Sequence, residues 1–438
     1  MYVQSAEPPG LSNAPDGPSI GVTLSQQQFI DRYDLEVTAA DPSAVDRLDA
    51  LVDAYLRMSP DLPGVLAAAP ESHSAALSEI AAGCLFIQAH TSTDHQRAAA
   101  FVQSLEARHS DDPGVLNERE TQHLAALARL VAGDVEGACD VWERLLGRWP
   151  TDLLALRLSH FTLFNRGRLT DMVRLVDQSI DAWEGRPYRS YLDGMKAFAL
   201  EELGQYRDAE RLARAAVDVD RSDLWSIHAV AHVLEMEARA ADGLAWFEER
   251  EDDLVGAFGR HLWWHHAIIH LRTGDHQRLL DLYDQRIQPG EARDGLSLTN
   301  AIDSLARLEF SGVNVGDRWP ALAAPAQHRL GHHDHPFNDC HYAYALARSG
   351  EGQACERLLQ GMRSWSDRPT TAGRVLTVVG LDTARAMAAL GSGDSTTAAD
   401  LFSRSRAERW KLGGSHAQRR LFELAESSAR AGEVSRSR

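Results

Sequence analysis

Residues 133–150 read GDVEGACDVWERLLGRWP. Gly133 marks a tight turn, Val135 follows two residues later, and Ala138 stands five later, where a helix touches its neighbour. Trp142, Leu145 and Pro150 fall nine, twelve and seventeen residues after the glycine. Small residues at and after the turn let two helices approach closely; the larger ones fill the groove against the next pair. Working outward, Gly204 is followed by Tyr206, Ala209, Ala213 and Ala216 at the same kind of spacing. Gly167 lies 34 residues after Gly133 and carries Leu169, Met172 and Val176. Gly274 opens a copy with Tyr283, Gly393 one with Ala398 and Phe402, and Gly350 a degenerate one. Between Gly204 and Gly274 there is room for one more hairpin, turning near Arg239–Asp242.

A hairpin of this kind buries only part of its apolar face alone, so neighbours must stack. The expected fold is therefore all-α: a tetratricopeptide-like (TPR-like) α-solenoid of antiparallel helix hairpins, closed around an interior polar pocket. Strand signals are weak, with no Asn-Gly or Asp-Gly turn between alternating runs. Residues 1–22, rich in Pro, Gly and Ser, read as a disordered lead-in, and 431–438 as a loose tail. One repeat domain is expected over 23–430, its first helices capping the array. An insertion at about 285–340 breaks the period with a helix, Leu296–Phe310, and an exposed GHHDHP loop, Gly331–Pro336.

The 438 residues carry 45 basic and 63 acidic side chains, a net charge of −18. That disfavours a phosphate-backbone partner and adsorption to an anionic membrane. Cys84, Cys139, Cys340 and Cys355 form no CxxC pair, and a chain this long needs no disulfide scaffold, so a cytoplasmic location is expected. No apolar run is long enough for a transmembrane helix, and the N-terminal residues have no signal-peptide pattern. No Gly-rich dinucleotide loop, P-loop or GxSxG elbow is present.

Polar chemistry concentrates in two short apolar segments, WSIHAVAHVLE (225–235) and HLWWHHAIIH (261–270). His228 and His232 are four apart with Glu235 three further on, so they share one helical stripe. His228 to His261 is 33 residues, and so is His232 to His265. Equivalent positions of adjacent repeats stack side by side, so the four imidazoles are expected to face one pocket. Three explanations compete. The histidines satisfy one another and the backbone; or they are acid/base and binding groups, since imidazole titrates near neutral pH; or the two HxxxH pairs hold a metal, although HxxxH lacks the glutamate of HExxH. Trp263 and Trp264 read as core, with Trp264 facing the cavity. His123 and His160 are lone histidines on earlier first helices. Gly413-Gly414 ahead of Ser415 reads as entry to a helix, with Ser415 its N-cap. His416, Gln418 and Arg419 then project from a first turn that favours an anion. Asn338, Asp339 and His341 occupy a similar helix start. Asp303 lies inside an apolar helix, where a carboxylate needs a partner: Arg419 or a pocket histidine.

WSIHAVAHVLE, HLWWHHAI (261–268), PTDLLALRLSH (150–160), FNDCH (337–341) and GGSHAQR (413–419) resemble the tetratricopeptide repeat protein 38 family. The resemblance covers about residues 100–430 and implies a closed helical repeat bundle with polar motifs on several first helices. It names no substrate; the family label alone implies interaction scaffolding.

The expectation is a small-molecule enzyme using cofactor-free histidine acid/base chemistry: hydrolysis, cyclisation, dehydration or isomerisation, in a bacterial specialised pathway. His232, His228, Glu235 and His265 are the expected catalytic groups. His261, Trp264, Asp303, Asp339, His341, His416, Gln418, Arg419 and His123 are the expected ligand-binding groups, the ligand carrying an anionic or carbonyl end. A scaffold binding a peptide in its groove is the alternative, and a metal enzyme using His228, His232, His261 and His265 the second. Oligomeric state stays open.

Overall fold

A computed structural model describes residues 27–68, 74–288, 290 and 294–436. The expected lead-in, 1–22, lies outside them. The all-helical reading holds: apart from one short antiparallel pair, Gln27–Ile30 with Glu36–Ala39, the regular elements among the described residues are helices.

Consecutive helices pack as pairs: Ala76–Gln88 with Ser92–Asp111, Glu118–Val131 with Val135–Arg148, and Leu153–Asn165 with Leu169–Ile180. Arg189–Glu202 with Tyr206–Val219, Leu224–Met236 with Ala240–Glu248, and Gly256–Thr273 with His276–Leu282 follow. Then come Gly295–Phe310 with Pro320–Gln327, Pro336–Arg348 with Gly352–Ser366, and Leu381–Gly391 with Ser395–Ser405. The connections are mostly too short for anything but antiparallel neighbours. Aspartates start many of these helices: the side chains of Asp134, Asp152, Asp223 and Asp394 accept from backbone N–H groups in the first turn. Left-handed residues end them, with Gly133, Gly167, Gly204, Gly274, Gly350 and Gly393 at φ between 66° and 83°. The 224–248 pair instead turns on Ala238, at φ 59°, just ahead of the expected Arg239–Asp242.

Two expectations change. The expected insertion contains another helix pair, turning through Gly312 (φ 80°) and packed between its sequence neighbours, so 295–327 continues the array. The turn was illegible because its second helix starts late, at Pro320. The last helix runs to Arg436, past the expected boundary at 431.

Burial separates the two helices of a pair. Leu224–Met236 buries every residue from Leu224 to Glu235, whereas Tyr206–Val219 buries one stripe, Ala209, Ala213, Ala216 and Val217. A helix buried all round belongs to the interior and a one-striped helix to the outside. Leu153–Asn165, Gly256–Thr273 and Gly295–Phe310 are also interior, so their polar residues must find partners inside. Segments far apart in sequence also meet: Thr371 N–H donates to Gly133 O at 2.9 Å, Arg329 to Ala89 O at 2.8 Å, and Arg307 to Ala417 O at 2.7 Å.

Candidate functional site

Two interior helices, Leu224–Met236 and Gly256–Thr273, present His228 and His232 to His261 and His265. All four side chains are buried, and one ligand nitrogen from each lies within 4.8 Å of the other three. His228 Nε2 is 3.0 Å from His261 Nε2 and 3.1 Å from His265 Nε2. The far side of each partner ring is held: His261 Nδ1 is 3.1 Å from Asn300 Oδ1, and His265 Nδ1 is 3.1 Å from Glu235 Oε2. Amide and carboxylate oxygens accept, so those Nδ1 atoms carry the protons and both Nε2 atoms carry lone pairs. His228 Nε2 can offer one proton to one of them. Lone pairs therefore outnumber protons at the point where the rings meet. His228 Nδ1 and both nitrogens of His232 make no hydrogen bond to the protein.

Phe198, Trp225, Phe258 and Trp264 pack around the four rings, Trp264 stacking on His261 at 5.3 Å. This apolar shell disfavours a charged imidazole. Burial, then the neighbouring imidazoles, hold His228 and His265 well below the usual histidine range. Burial takes His261 down to about 3 and also lowers His232.

Beside His232 lies a carboxylate pair missed in the sequence, Glu201 and Glu202. His232 Nδ1 is 3.2 Å from Glu201 Oε2 and 3.8 Å from Glu202 Oε1. Glu201 is fully buried, and burial pushes its carboxyl up to about 8. Glu202 stands 33 residues before Glu235, the same offset that relates the histidines, so the repeat register was the signal that could have found it.

Glu235, on the same stripe as His232, bonds His265 across the helix pair, and Glu201 and Glu202 flank His232. Asp303 is reassigned. Its Oδ2 accepts from Trp264 Nε1–H at 2.7 Å and from Arg307 Nε at 2.6 Å, rather than from Arg419 or a histidine. The 413–419 helix start does receive an anion, and it is the protein's own. His416 N–H donates to Glu202 Oε1 at 3.0 Å, and Arg419 Nη2 lies 3.6 Å from Glu202 Oε2. Arg419 also bonds Gly414 O. Gln418 and Ser415 cap each other reciprocally, with Ser415 N–H donating to Gln418 Oε1 at 2.9 Å. The His416 ring is the open edge of this corner, its side chain 46% exposed.

Other expected residues lie elsewhere. His123 Nε2 is 2.9 Å from Asp152 Oδ2, to which Arg119 also donates at 2.8 Å, a buried structural triad. His341 Nδ1–H donates to Phe337 O at 2.9 Å, with its ring between Phe337 and Phe422. Asp339 faces His333 at 3.1 Å in a second histidine-rich corner. That corner corrects the GHHDHP loop, expected to be exposed. Asp334 lies 3.1 Å from His90 Nδ1 and 3.3 Å from His332 Nε2, while His332 and His333 pack on Trp365.

No known family model matches this chain, so the chemistry of the site rests on its geometry.

Proposed function

We propose that this protein is a metal-dependent enzyme whose ion is held by His228, His232, His261 and His265 inside a TPR-like array of the tetratricopeptide repeat protein 38 kind. The array is closed over the centre by the segment that brings His416 to Glu202. The observation that carries this reading is His228 Nε2 meeting His261 Nε2 at 3.0 Å and His265 Nε2 at 3.1 Å, the latter two atoms fixed as lone pairs by partners on their far nitrogens. In a tetrahedral site with metal–nitrogen bonds near 2.0–2.1 Å, ligand nitrogens lie about 3.3–3.4 Å apart. Oxygen acceptors behind ligand imidazoles are the usual outer partners of a metal centre. All-imidazole ligation suits zinc, iron, copper or nickel. Glu201, Glu202 and Glu235 supply carboxylates that answer the ion's charge in a dry interior.

The ion would polarise a carbonyl or lower the pKa of a bound water. The Glu201–Glu202 pair is placed to take a proton beside His232. The substrate is a small molecule and the setting cytoplasmic. The four cysteines are free and buried, and no helix among the described residues is long and apolar enough to cross a membrane. Cofactor-free acid/base chemistry draws on one observation, His232 beside the carboxylate pair, but it asks for a proton on imidazoles whose surroundings favour the neutral form.

The test is elemental analysis of the purified protein and of apo-protein refilled with zinc or cobalt. About one ion per chain is expected, with visible cobalt bands for nitrogen ligation, both lost in a His261→Ala, His265→Ala variant. Folded protein that stays ion-free after refilling overturns the reading. Turnover that survives complete chelation would favour the acid/base one.

A further inference from the structure

Arg157 is 1% exposed, on the interior helix Leu153–Asn165. None of its three side-chain nitrogens has a hydrogen-bond partner. Its guanidinium lies over the Trp225 ring, 4.1 Å from the centroid, and 5.6 Å from that of Tyr55. Stacking satisfies the face of a guanidinium and leaves the five N–H groups at its edge untouched. The carboxylate that attracts it, Asp223, is occupied: it accepts from the N–H groups of Trp225 and Ser226 and from Ser226 Oγ–H. Trp225 Nε1–H, at the edge of the stacked ring, is likewise buried without a partner. A buried cation with every donor idle is among the costliest arrangements a folded chain can hold, unless something pairs with it.

We propose that Arg157 anchors a binding site for the carboxylate of a small organic acid, next to the histidine cluster. A planar guanidinium fork matches a carboxylate through two parallel hydrogen bonds. One guanidinium and one indole N–H suit a planar monoanion better than a phosphate dianion. Trp225 links this site to the cluster, its ring 5.5 Å from that of His228. A ligand gripped at Arg157 therefore extends along Trp225 towards His228. The anionic end expected at Arg419 moves here, because Arg419 is engaged by Glu202. The anion site stands on Arg157 itself; that its ligand is the substrate rests on the metal-centre reading.

The experiment titrates the full-length, metal-filled protein with acetate, benzoate and inorganic phosphate at constant ionic strength, read by calorimetry and thermal shift. Metal content is measured on every sample. Saturable carboxylate binding is expected, weakened about tenfold or more in Arg157→Lys, which keeps the charge but loses the fork, and absent in Arg157→Met. Ligand-free Arg157→Met is expected to melt no lower than wild type, because it removes an unpaired buried charge; a purely structural arginine would give the opposite. Absence of carboxylate binding, equal binding by Arg157→Met, or phosphate outcompeting both carboxylates would each overturn the proposal. Arg157-dependent acetate binding by a protein that carries no metal would leave this site standing and sink the metal centre.

Discussion

Replacing Glu235 by Gln separates a ligand-orienting carboxylate from a merely buried one. Glu235 Oε2 faces His265 Nδ1 at 3.1 Å, both groups are buried, and burial raises the Glu235 pKa. Glutamine keeps an acceptor of the same shape, so the His265 ring stays in place, but it removes the charge that makes His265 Nε2 a strong donor. Losing such an outer partner typically weakens metal binding about 10–100-fold, or about 1.4–2.7 kcal/mol. At free zinc about a thousandfold above the dissociation constant, the ion stabilises the native state by about 4 kcal/mol. A thirtyfold weaker site at the same zinc loses about 2 kcal/mol of that. The apo-protein moves the other way or not at all, since a desolvated carboxylate is replaced by a neutral amide. The assay pairs chelator-competition zinc titrations with calorimetric melts in the presence and absence of zinc. Unchanged zinc affinity, or an apo-protein destabilised as much as the zinc-bound one, would refute the reasoning.

Three further outcomes are expected. Ala238→Gly should stabilise the chain by about 1 kcal/mol, because Ala238 holds the left-handed turn position that glycine fills in neighbouring pairs; an unchanged or lower urea midpoint would contradict this. Asp152→Ala should cost about 3 kcal/mol by taking from the buried His123 its carboxylate and from Arg119 the nearer of two, Asp31 remaining at 3.5 Å; a loss under about 1 kcal/mol would show the triad to be incidental. Burial and then Arg157 take His160 down to about 3, below its unfolded value, so the unfolded chain binds the proton first. The stability this group contributes is full above about pH 6.5 and falls by about 1.4 kcal/mol per unit as pH drops towards 3. His160→Gln should flatten that slope between pH 4 and 6 in urea titrations, and an equal slope would show that His160 is not its source.

The helices were legible because their turn glycines and small residues recur from Gly133 to Gly393. The Gly312 turn was not, since 295–327 keeps the pairing but stretches the connection. The histidine offset of 33 residues pointed to neighbouring positions, and the structure puts those rings in contact. What the sequence could not display is which carboxylate serves which ring. Glu235 shares a helical stripe with His232, yet it reaches across to His265, because contact between two helices depends on their crossing as well as on spacing along one of them. Glu201 and Glu202 stand at the end of a helix, ahead of the Gly204 turn, where carboxylates are ordinarily solvated. They are buried because residues 413–419, more than two hundred positions later, fold over them.

That late cover has a consequence for how the protein is made. Glu202 leaves the ribosome 214 residues before His416, about 10–40 s at ordinary elongation rates. During that interval the helices bearing all four histidines have emerged, while the segment that seals Glu202 has not. An ion of the kind proposed above could enter then without displacing packed side chains, and it would be enclosed when translation reaches the GGSHAQR segment. Filling would thus be faster during synthesis than by exchange into the finished chain. Protein made in metal-starved cells would fill only slowly when metal is added back, and protein made in replete cells would give up its ion as slowly to a chelator.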